Sequence, residues 1–295
     1  MLKKIVKKIY SLFPFAIKFF LKDIYFYCQS SLNNGISIQK IKFIKNFNQV
    51  TVLGNGPSLN QDRNNIITLI GKTDFFCVNN FCDDELYIKV KPKTYFFLDA
   101  YFFSHNAHSD WVARREKTFK VLNELTTWPM QIIVPSSANL TILKGITNDN
   151  ISIIKISTQS LFKTKYTKVT GWLFDSGFYG PPQINVLIYA IFAGIIAKYK
   201  NIVVFGADLS FHNDVLVDQH SNELYIKYKH FNEQDSFEKL LKNPDKVTPW
   251  RMSELLELSA DTFYAHEIIN SYALSKGIKI NNKSSFSLID AYDRT

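Results

Sequence analysis

The segment Val50-Thr-Val-Leu-Gly-Asn-Gly-Pro-Ser-Leu59 changes abruptly from strand chemistry to turn chemistry. Residues 50–53 are apolar or β-branched, a pattern typical of a buried strand. The glycines, Asn55, Pro57 and Ser58 that follow cannot continue a strand. Glycine lets a backbone approach a ligand closely, whereas proline and serine suit the first turn of a helix. The segment therefore predicts a strand, a tight turn and the start of a helix.

A glycine turn between a strand and a helix is where α/β folds bind phosphates. Free N–H groups and the positive end of the helix dipole meet there. The spacing here matches neither the G-x-G-x-x-G fingerprint nor the lysine-containing P-loop. On spacing alone, a nucleotide-binding loop and an ordinary strand–helix turn both remain open.

Strand-like and helix-like segments alternate after this turn. The pattern predicts helices over 60–70, 110–125 and 183–198, with an irregular aromatic loop over 163–182. It predicts further strands over 74–80, 95–99, 131–134, 151–156 and 201–205. Such alternation is typical of an α/β fold, a Rossmann-like parallel sheet with helices on both faces.

We divide the chain into four segments on this basis. Residues 1–48 form a basic amphipathic N-terminal segment, and 49–208 form a Rossmann-type core. Residues 209–255 interrupt the alternation, and we interpret them as a lid insertion with a β-hairpin of strands 216–218 and 224–228. Residues 256–295 complete the core with an amphipathic helix over 259–275 and a strand over 278–280.

Composition indicates a globular protein with reduced thiols. The chain has 295 residues, of which 46% are hydrophobic and 15% aromatic, enough for a sizeable core. Its three cysteines, Cys28, Cys77 and Cys82, form no C-x-x-C pair, so a disulfide or zinc framework is not expected. We therefore predict a cytoplasmic location.

The net charge of +9 is concentrated at the N-terminus. Residues 1–45 contain nine lysines and a single acid, Asp23, and so carry +8. A nucleic-acid-binding protein would carry its positive charge on the folded body, so we predict no nucleic-acid partner.

Residues 1–28 alternate lysines with apolar residues at helical spacing. Lys18 and Lys22 make this stretch too charged to span a bilayer, and no signal-peptide cleavage site follows it. A basic amphipathic helix or helix pair that lies on an anionic membrane surface is our interpretation. Packing of the same helix against the folded body remains the alternative.

Ligands of such a sheet bind at the carboxyl ends of its strands. The residues there are polar and carry few charges, which suits nucleoside, sugar and phosphate groups better than a metal, so no metal or cofactor is predicted. Asn, Asp and Ser are also common at strand ends because they favour turns. The candidate binding residues are Gly54, Asn55, Gly56, Pro57, Ser58, Asn79, Asn80, Asp99, Ser136 and Ser210, with Asp208 beside them.

Three of these stretches together resemble a known family. The turn Gly54–Leu59, the pair Asn79-Asn80 and the run from Tyr199 to Asp208 are similar to the bacterial sialyltransferases of glycosyltransferase family 42. Related nonulosonate and Kdo transferases and the motility accessory factors share the pattern. The resemblance covers about residues 50–290 and excludes the basic N-terminal segment.

The resemblance implies an enzyme that moves a nonulosonic acid from a CMP-activated donor to a cell-surface glycan acceptor by inverting, metal-independent transfer. It places Asn55, Gly56 and Ser58 at the nucleotide and its phosphate. In the family, lid tyrosines hold the leaving phosphate, and Tyr225 and Tyr228 are the candidates here.

Two positions depart from the family pattern. The loop after the third strand reads Leu98-Asp99-Ala100 instead of Asn-Pro-Gly, and no histidine occurs near 259–260, where the family has its general base. A histidine titrates near neutral pH and suits removal of a proton from an acceptor hydroxyl. We therefore consider His230 and His212 as candidate bases, with Asp208 or Asp214 orienting the imidazole.

Two other functions remain open at this point. A pterin pyrophosphokinase-like diphosphokinase shares the turn and needs carboxylates for magnesium, which Asp99, Asp208 and Asp214 would supply. The other is a nucleotide-binding module without catalysis. A homo-oligomer also remains open.

Overall fold

A computed structural model describes residues 15–161, 165–228 and 236–294; for 15–20, Tyr228 and Ser236 it describes the backbone alone. The helices are α1 Phe15–Leu32, α2 Leu59–Ile67, α3 Leu86–Val90, α4 Ser109–Leu125, α5 Leu140–Leu143, α6 Lys168–Ser176, α7 Val186–Ile196 and α8 Met252–Ser275. The strands are β1 Gln49–Leu53, β2 Asp74–Val78, β3 Thr94–Phe96, β4 Met130–Pro135, β5 Ile151–Ile156, β6 Gln159–Ser160, β7 Tyr179–Gly180, β8 Asn201–Phe205, β9 Val215–Val217, β10 Leu224–Tyr228, β11 Ser236–Lys239 and β12 Lys279–Asn282.

Seven strands form one parallel sheet in the order β12-β8-β1-β2-β3-β4-β5. The chain runs outward from β1 to β5 and then returns to the other side of β1 with β8. The strand order therefore reverses between β1 and β8, the place where α/β sheets bind ligands. The predicted Rossmann-like α/β fold is confirmed.

Alternating side chains of the central strands enter two apolar cores, one on each face of the sheet. Val50, Val52 and Phe76 pack on the face covered by α6, α7 and α8. Leu53 and Phe75 pack on the face covered by α2, α3 and α4. Because successive residues of a strand point to opposite faces, both faces of a parallel sheet must be apolar.

Helix α7 is the central helix of the first core, and its residues Val186–Ile195 are all buried. It begins at Val186, three residues later than predicted, because the Asn185 side chain caps it by accepting a hydrogen bond from the Leu187 N–H at 2.8 Å. A helix buried on every side must be apolar throughout, which explains the unbroken apolar run.

Two helices differ from the sequence prediction. The loop predicted over 163–182 contains α6, which is capped by Thr167 and ends at Gly177 in the left-handed conformation. Helix α8 begins at Met252 and not at residue 259. Glu254 accepts a hydrogen bond from the Arg251 N–H at 3.0 Å, so this end of the predicted lid is already helical.

The lid contains a small antiparallel sheet of β9, β10 and β11. The predicted hairpin is confirmed as β9 and β10, and sequence reasoning missed β11. Leu224 and Ile226 point from β10 into an apolar cluster with Leu240 and Leu255, which attaches the lid to the start of α8.

Helix α1 lies against the edge of the body beyond β5, and the chain after it pairs Ile36 with Ile156. The described part of the chain contains no helix long and apolar enough to cross a membrane.

Candidate active site

The glycine turn after β1 touches the corresponding turn after β8. The Gly54 N–H donates to the Phe205 carbonyl at 2.8 Å, and the Gly56 N–H donates to the Gly206 carbonyl at 2.9 Å. A Cβ atom on Gly54 would lie 2.4 Å from the Gly206 carbonyl oxygen, closer than any van der Waals contact. Close backbone packing therefore requires these glycines, and their N–H groups are used within the protein. The N–H groups of Gly54 and Gly56 are therefore not available to a phosphate, although both residues line the cavity described below.

Asp208 lies beneath the glycine turn and binds Ser58 twice. The Ser58 N–H donates to one carboxylate oxygen at 2.9 Å, and the Ser58 hydroxyl donates to the other at 2.6 Å. Burial raises the pKa of Asp208 above its usual value, and the bonds from Ser58 oppose that rise. Asp208 therefore positions the start of α2, and among the residues that the structure describes no histidine is hydrogen-bonded to it.

Two asparagine amides in the site are fixed by bonds from their nitrogen atoms. The Asn55 Nδ2 donates to the Val78 carbonyl at 3.3 Å, and the Asn79 Nδ2 donates to an Asp99 carboxylate oxygen at 2.7 Å. These bonds orient the amides so that both Oδ1 atoms are acceptors. Both Oδ1 atoms are buried and have no hydrogen-bond partner among the described residues. A buried acceptor without a partner costs free energy, so a ligand N–H or O–H group would be bound favourably here.

Asp99 provides a carboxylate on the wall of the same site. The side chain is open to the cavity, yet the protein mass around it disfavours the charged form and raises the pKa to about 6. The hydrogen bond from Asn79 partly opposes this shift.

These groups line a cavity of about 650 Å³ at the carboxyl ends of β1 and β8. The lid contributes Ile226 and Lys227 to its wall, and the N-terminus of α7 contributes Asn185 to Leu187. The predicted residues that the cavity brings together are Gly54, Asn55, Gly56, Pro57, Ser58, Asn79, Asp99, Asp208 and Ser210.

Two predicted binding residues lie elsewhere. Asn80 binds the Thr118 hydroxyl at 2.7 Å and the Tyr101 hydroxyl at 2.6 Å, and so joins β2 to α4 beneath the sheet. The Ser136 hydroxyl lies 2.5 Å from the Ser30 hydroxyl, where it joins the body to α1.

The predicted tyrosines and histidines of the lid do not come together at one place in the described structure. Tyr225 stands in β10 between Leu216 and Lys239 and does not line the cavity. The His212 ring meets the Phe211 and Phe263 rings edge-on, and its buried Nδ1 has no hydrogen-bond partner within the part of the chain that the structure describes. The Tyr228 side chain and all of His230 fall outside the described residues.

Sequence reasoning missed the contribution of α7. The end of a helix where N–H groups are free carries partial positive charge and attracts anions. Pro181, Pro182 and Asn185 precede an apolar run, and this pattern could have located the helix N-terminus.

The C-terminal tail closes the other side of the site. The Ser284 hydroxyl accepts from the Ala207 N–H at 3.0 Å, and the Ser287 hydroxyl donates to the Ala207 carbonyl at 2.6 Å. Phe286, between them, lines the cavity. These bonds fix the strand end that carries Asp208.

The cavity wall contains all three aspartates that the diphosphokinase alternative would use for magnesium, namely Asp99, Asp208 and Asp214. Across the described ranges, however, no three His, Cys, Asp or Glu side chains come close enough together to hold a metal ion. Ser58 already occupies both oxygens of Asp208. The metal-dependence test given below separates the diphosphokinase alternative from a metal-independent transferase.

No family model matches the sequence, and a search of curated proteins found no match. Among solved structures, the MAf glycosyltransferase from Magnetospirillum magneticum AMB-1 is similar, with a TM-score of 0.51 and 12% identity over 90% of this chain and 37% of that one. The sialyltransferase CstII from Campylobacter jejuni, in complex with CMP-3FNeuAc, has a TM-score of 0.43 and 16% identity over 83% of this chain and 84% of that one. The chain thus spans little more than a third of the MAf protein. The first likeness supports the fold.

Proposed function

We propose that this chain is a glycosyltransferase that moves a nonulosonic acid, such as sialic acid or Kdo, from a CMP-activated donor to a cell-surface glycan acceptor. The acceptor is a lipooligosaccharide, a lipopolysaccharide or a capsule precursor. The observation that carries the proposal is the pair of buried, unpartnered amide oxygens of Asn55 and Asn79 in the cavity where β1 and β8 diverge. The sequence resemblance around these residues specifies the chemistry.

A cytidine nucleotide fits the polarity of this cavity. Its amine and ribose hydroxyls are hydrogen-bond donors and match the free acceptors of Asn55 and Asn79. Its phosphate is an anion, for which Lys227 and the N-terminus of α7 provide positive charge. Asn55 also keeps its backbone N–H without an acceptor within the described chain.

In the proposed reaction, the bond between the donor sugar and the phosphate breaks as an oxocarbenium-like centre forms. The leaving phosphate needs hydrogen-bond donors, a role we give to Tyr228 with Lys227, since Tyr225 does not line the cavity. A lid histidine, His230 or His212, removes the proton of the acceptor hydroxyl. The mechanism requires no metal ion.

We also propose that the enzyme works at the inner face of a bacterial membrane, held there by residues 1–28. Their lysines would attract acidic lipids. Glycolipid acceptors at that surface would then be concentrated near the enzyme.

A thermal-shift comparison of cytidine, uridine, guanosine and adenosine monophosphates tests the proposal. A ligand that binds only the native state raises the unfolding temperature, so cytidine monophosphate should stabilise the protein most. Transfer from CMP-sialic acid or CMP-Kdo should persist in EDTA. Stabilisation by a purine triphosphate only in the presence of magnesium would instead select the diphosphokinase.

A further inference from the structure

Helix α1 attaches to the body through its polar face. Asp23 accepts hydrogen bonds from the Gln159 amide at 2.9 Å and from the Tyr179 hydroxyl. Ser30 is buried against Ser136. Between these residues, the Tyr27 ring packs edge-on against the Phe178 ring at 5.2 Å. These positions follow helical spacing, so a single face of α1 contacts the body.

The opposite face of α1 is apolar and exposed. Tyr25, Cys28 and Leu32 follow one another at helical spacing and are all exposed, Leu32 to 85%. A helix on a soluble protein normally turns its apolar stripe toward the core and its polar face outward. In α1 the arrangement is reversed.

Helix α6 and the residues just after it also expose apolar side chains, on the part of the body next to α1. Val169 and Trp172, one turn apart, are each 66% exposed. Phe178, just beyond α6, is also exposed and contacts α1 through Tyr27. The Ser37 hydroxyl donates to the Gly177 carbonyl at 2.9 Å and ties the chain after α1 to the end of α6. Exposed apolar patches of this kind mark binding surfaces.

Lysines lie next to these residues, and Asp175, the acid of α6, forms an ion pair with Lys276 at 2.7 Å. Lys22 and Lys168 are exposed, while Asp23 is engaged with the body. Residues 1–14, immediately before α1, contain four lysines and no acid. A second copy of the chain would bring the same positive charge, whereas acidic lipids would neutralise it.

We propose that Tyr25, Cys28, Leu32, Val169, Trp172 and Phe178 form a docking face that binds the surface of an anionic lipid bilayer. Helices α1 and α6 would lie in the membrane plane, with the apolar side chains among the lipid headgroups. Tryptophan is enriched at this depth because its ring is apolar and its N–H is polar. Since α6 belongs to the body, binding would fix the orientation of the whole protein as well as tether its N-terminus. The inference extends the proposed membrane association and does not depend on the sugar chemistry.

Sedimentation of the full chain with lipid vesicles tests this docking face. We expect binding to phosphatidylcholine vesicles that contain phosphatidylglycerol and much weaker binding to phosphatidylcholine alone. The double variant Leu32→Ser/Trp172→Ala should lower the partition constant about tenfold or more, since it removes two exposed apolar side chains. Leu256→Ser/Tyr264→Ala is the matched control, because both residues are 54% exposed and lie on α8.

Cys28 offers a second measurement on the intact surface. Cys77 and Cys82 are buried, and burial raises the pKa of both thiols, so a thiol-reactive dye should label Cys28 selectively. An environment-sensitive dye at Cys28 should shift its emission to shorter wavelength on acidic vesicles.

Three results would overturn the inference. The first is an equal loss of vesicle binding in the control variant, and the second is the absence of an emission shift at Cys28. The third is light scattering that finds a dimeric wild type and a monomeric double variant. The last result would assign the face to a second copy. Stabilisation by cytidine monophosphate, measured without vesicles, reports on the transferase proposal separately, and the double variant should retain it.

Discussion

Ser58 donates two hydrogen bonds to Asp208, although 150 positions separate them in the chain. Both residues are buried, and the carboxylate lies at the N-terminus of α2, where the helix dipole favours negative charge. Asp208 therefore acts as a cap supplied from another strand. The pair joins the turn after β1 to the turn after β8, at the carboxyl ends of the strands, where the candidate site lies.

Ser58→Ala should destabilise the protein by about 1–3 kcal/mol, because it leaves a buried carboxylate oxygen without a donor. Urea unfolding measures the change. Ser285→Ala is the control, since the Ser285 hydroxyl makes only a 3.4 Å contact with the Ser58 carbonyl and the residue is exposed. Equal stability of Ser58→Ala and the wild type would show that Asp208 needs no second donor.

Gly56→Ala should abolish nucleotide binding and strongly destabilise the fold. The added Cβ would lie 2.0 Å from a carboxylate oxygen of Asp208 and 2.7 Å from the Gly206 carbonyl oxygen, so the turn would have to move. The cytidine thermal shift and the unfolding midpoint measure the two effects. Gly71→Ala is a useful comparison because its Cβ would meet no atom within 4 Å, although its φ of +78° adds strain of about 1 kcal/mol. It should leave nucleotide binding intact.

Sequence reasoning identified Gly54 and Gly56 but expected their N–H groups to be free, whereas both donate to backbone carbonyls of the turn after β8. Their glycine requirement comes from Gly206, which is distant in the chain, and a local pattern does not show which strands become neighbours. Ser136 was predicted at the site but lies outside the cavity, because a local pattern also does not show how far β4 lies from β1. Strand β4 lies three places from β1 in the sheet, or about 14 Å at the usual strand spacing, so its end does not reach the cavity.

Asn79 and Asn80 show what the local pattern could have resolved. Successive side chains after a strand tend to point in different directions, and only Asn79 faces the cavity. The helices were predicted best where an apolar run was long, as in α7. Their starts were displaced because caps such as Asn185 and Glu254 decide them.

Asp99 should make nucleotide binding dependent on pH. Its pKa of about 6 means that the carboxyl becomes negative as pH rises through 6, and this charge opposes an anionic phosphate in the same cavity. The wild type should therefore lose affinity for cytidine monophosphate relative to Asp99→Asn above pH 6, by a factor on the order of ten. Titration calorimetry of both proteins at each pH gives the ratio of their affinities. The ionisation of the ligand is the same for both proteins at one pH, so it cancels from this ratio. A constant ratio between pH 5 and 8 would contradict the prediction.

The same shift predicts a change in stability. The folded pKa of Asp99 lies above the ordinary value of 3.8, so the folded state favours the protonated form. That contribution is present at low pH and is lost as pH rises through 6. Asp99→Asn, which resembles the protonated form, should be more stable than the wild type above pH 6 and equal to it near pH 4. Urea unfolding at the two pH values measures this, and Asp149→Asn is an exposed control.

His230→Ala should lower kcat by roughly a few hundredfold while cytidine monophosphate still stabilises the protein, as expected for loss of a general base. His212→Ala is the matched comparison within the lid, because its ring packs against Phe211 and Phe263. If His230→Ala retains full turnover and His212→Ala does not, the base is His212. Full turnover in both variants would refute a lid histidine as the base.

His266 should make the fold sensitive to acid. Its ring is buried in α8, with Nδ1 2.7 Å from the Tyr292 hydroxyl, and burial lowers its pKa to about 3. In the unfolded chain the same ring titrates near 6.5, so the unfolded state binds a proton first as pH falls. The contribution of His266 to stability is therefore complete above pH 6.5 and is lost progressively as pH falls toward 3. His266→Gln retains a side chain that can bind Tyr292 but does not titrate. It should be less stable than the wild type at pH 7, and its unfolding free energy should fall less steeply between pH 6 and 4. Parallel slopes for the two proteins would show that other groups cause the acid sensitivity.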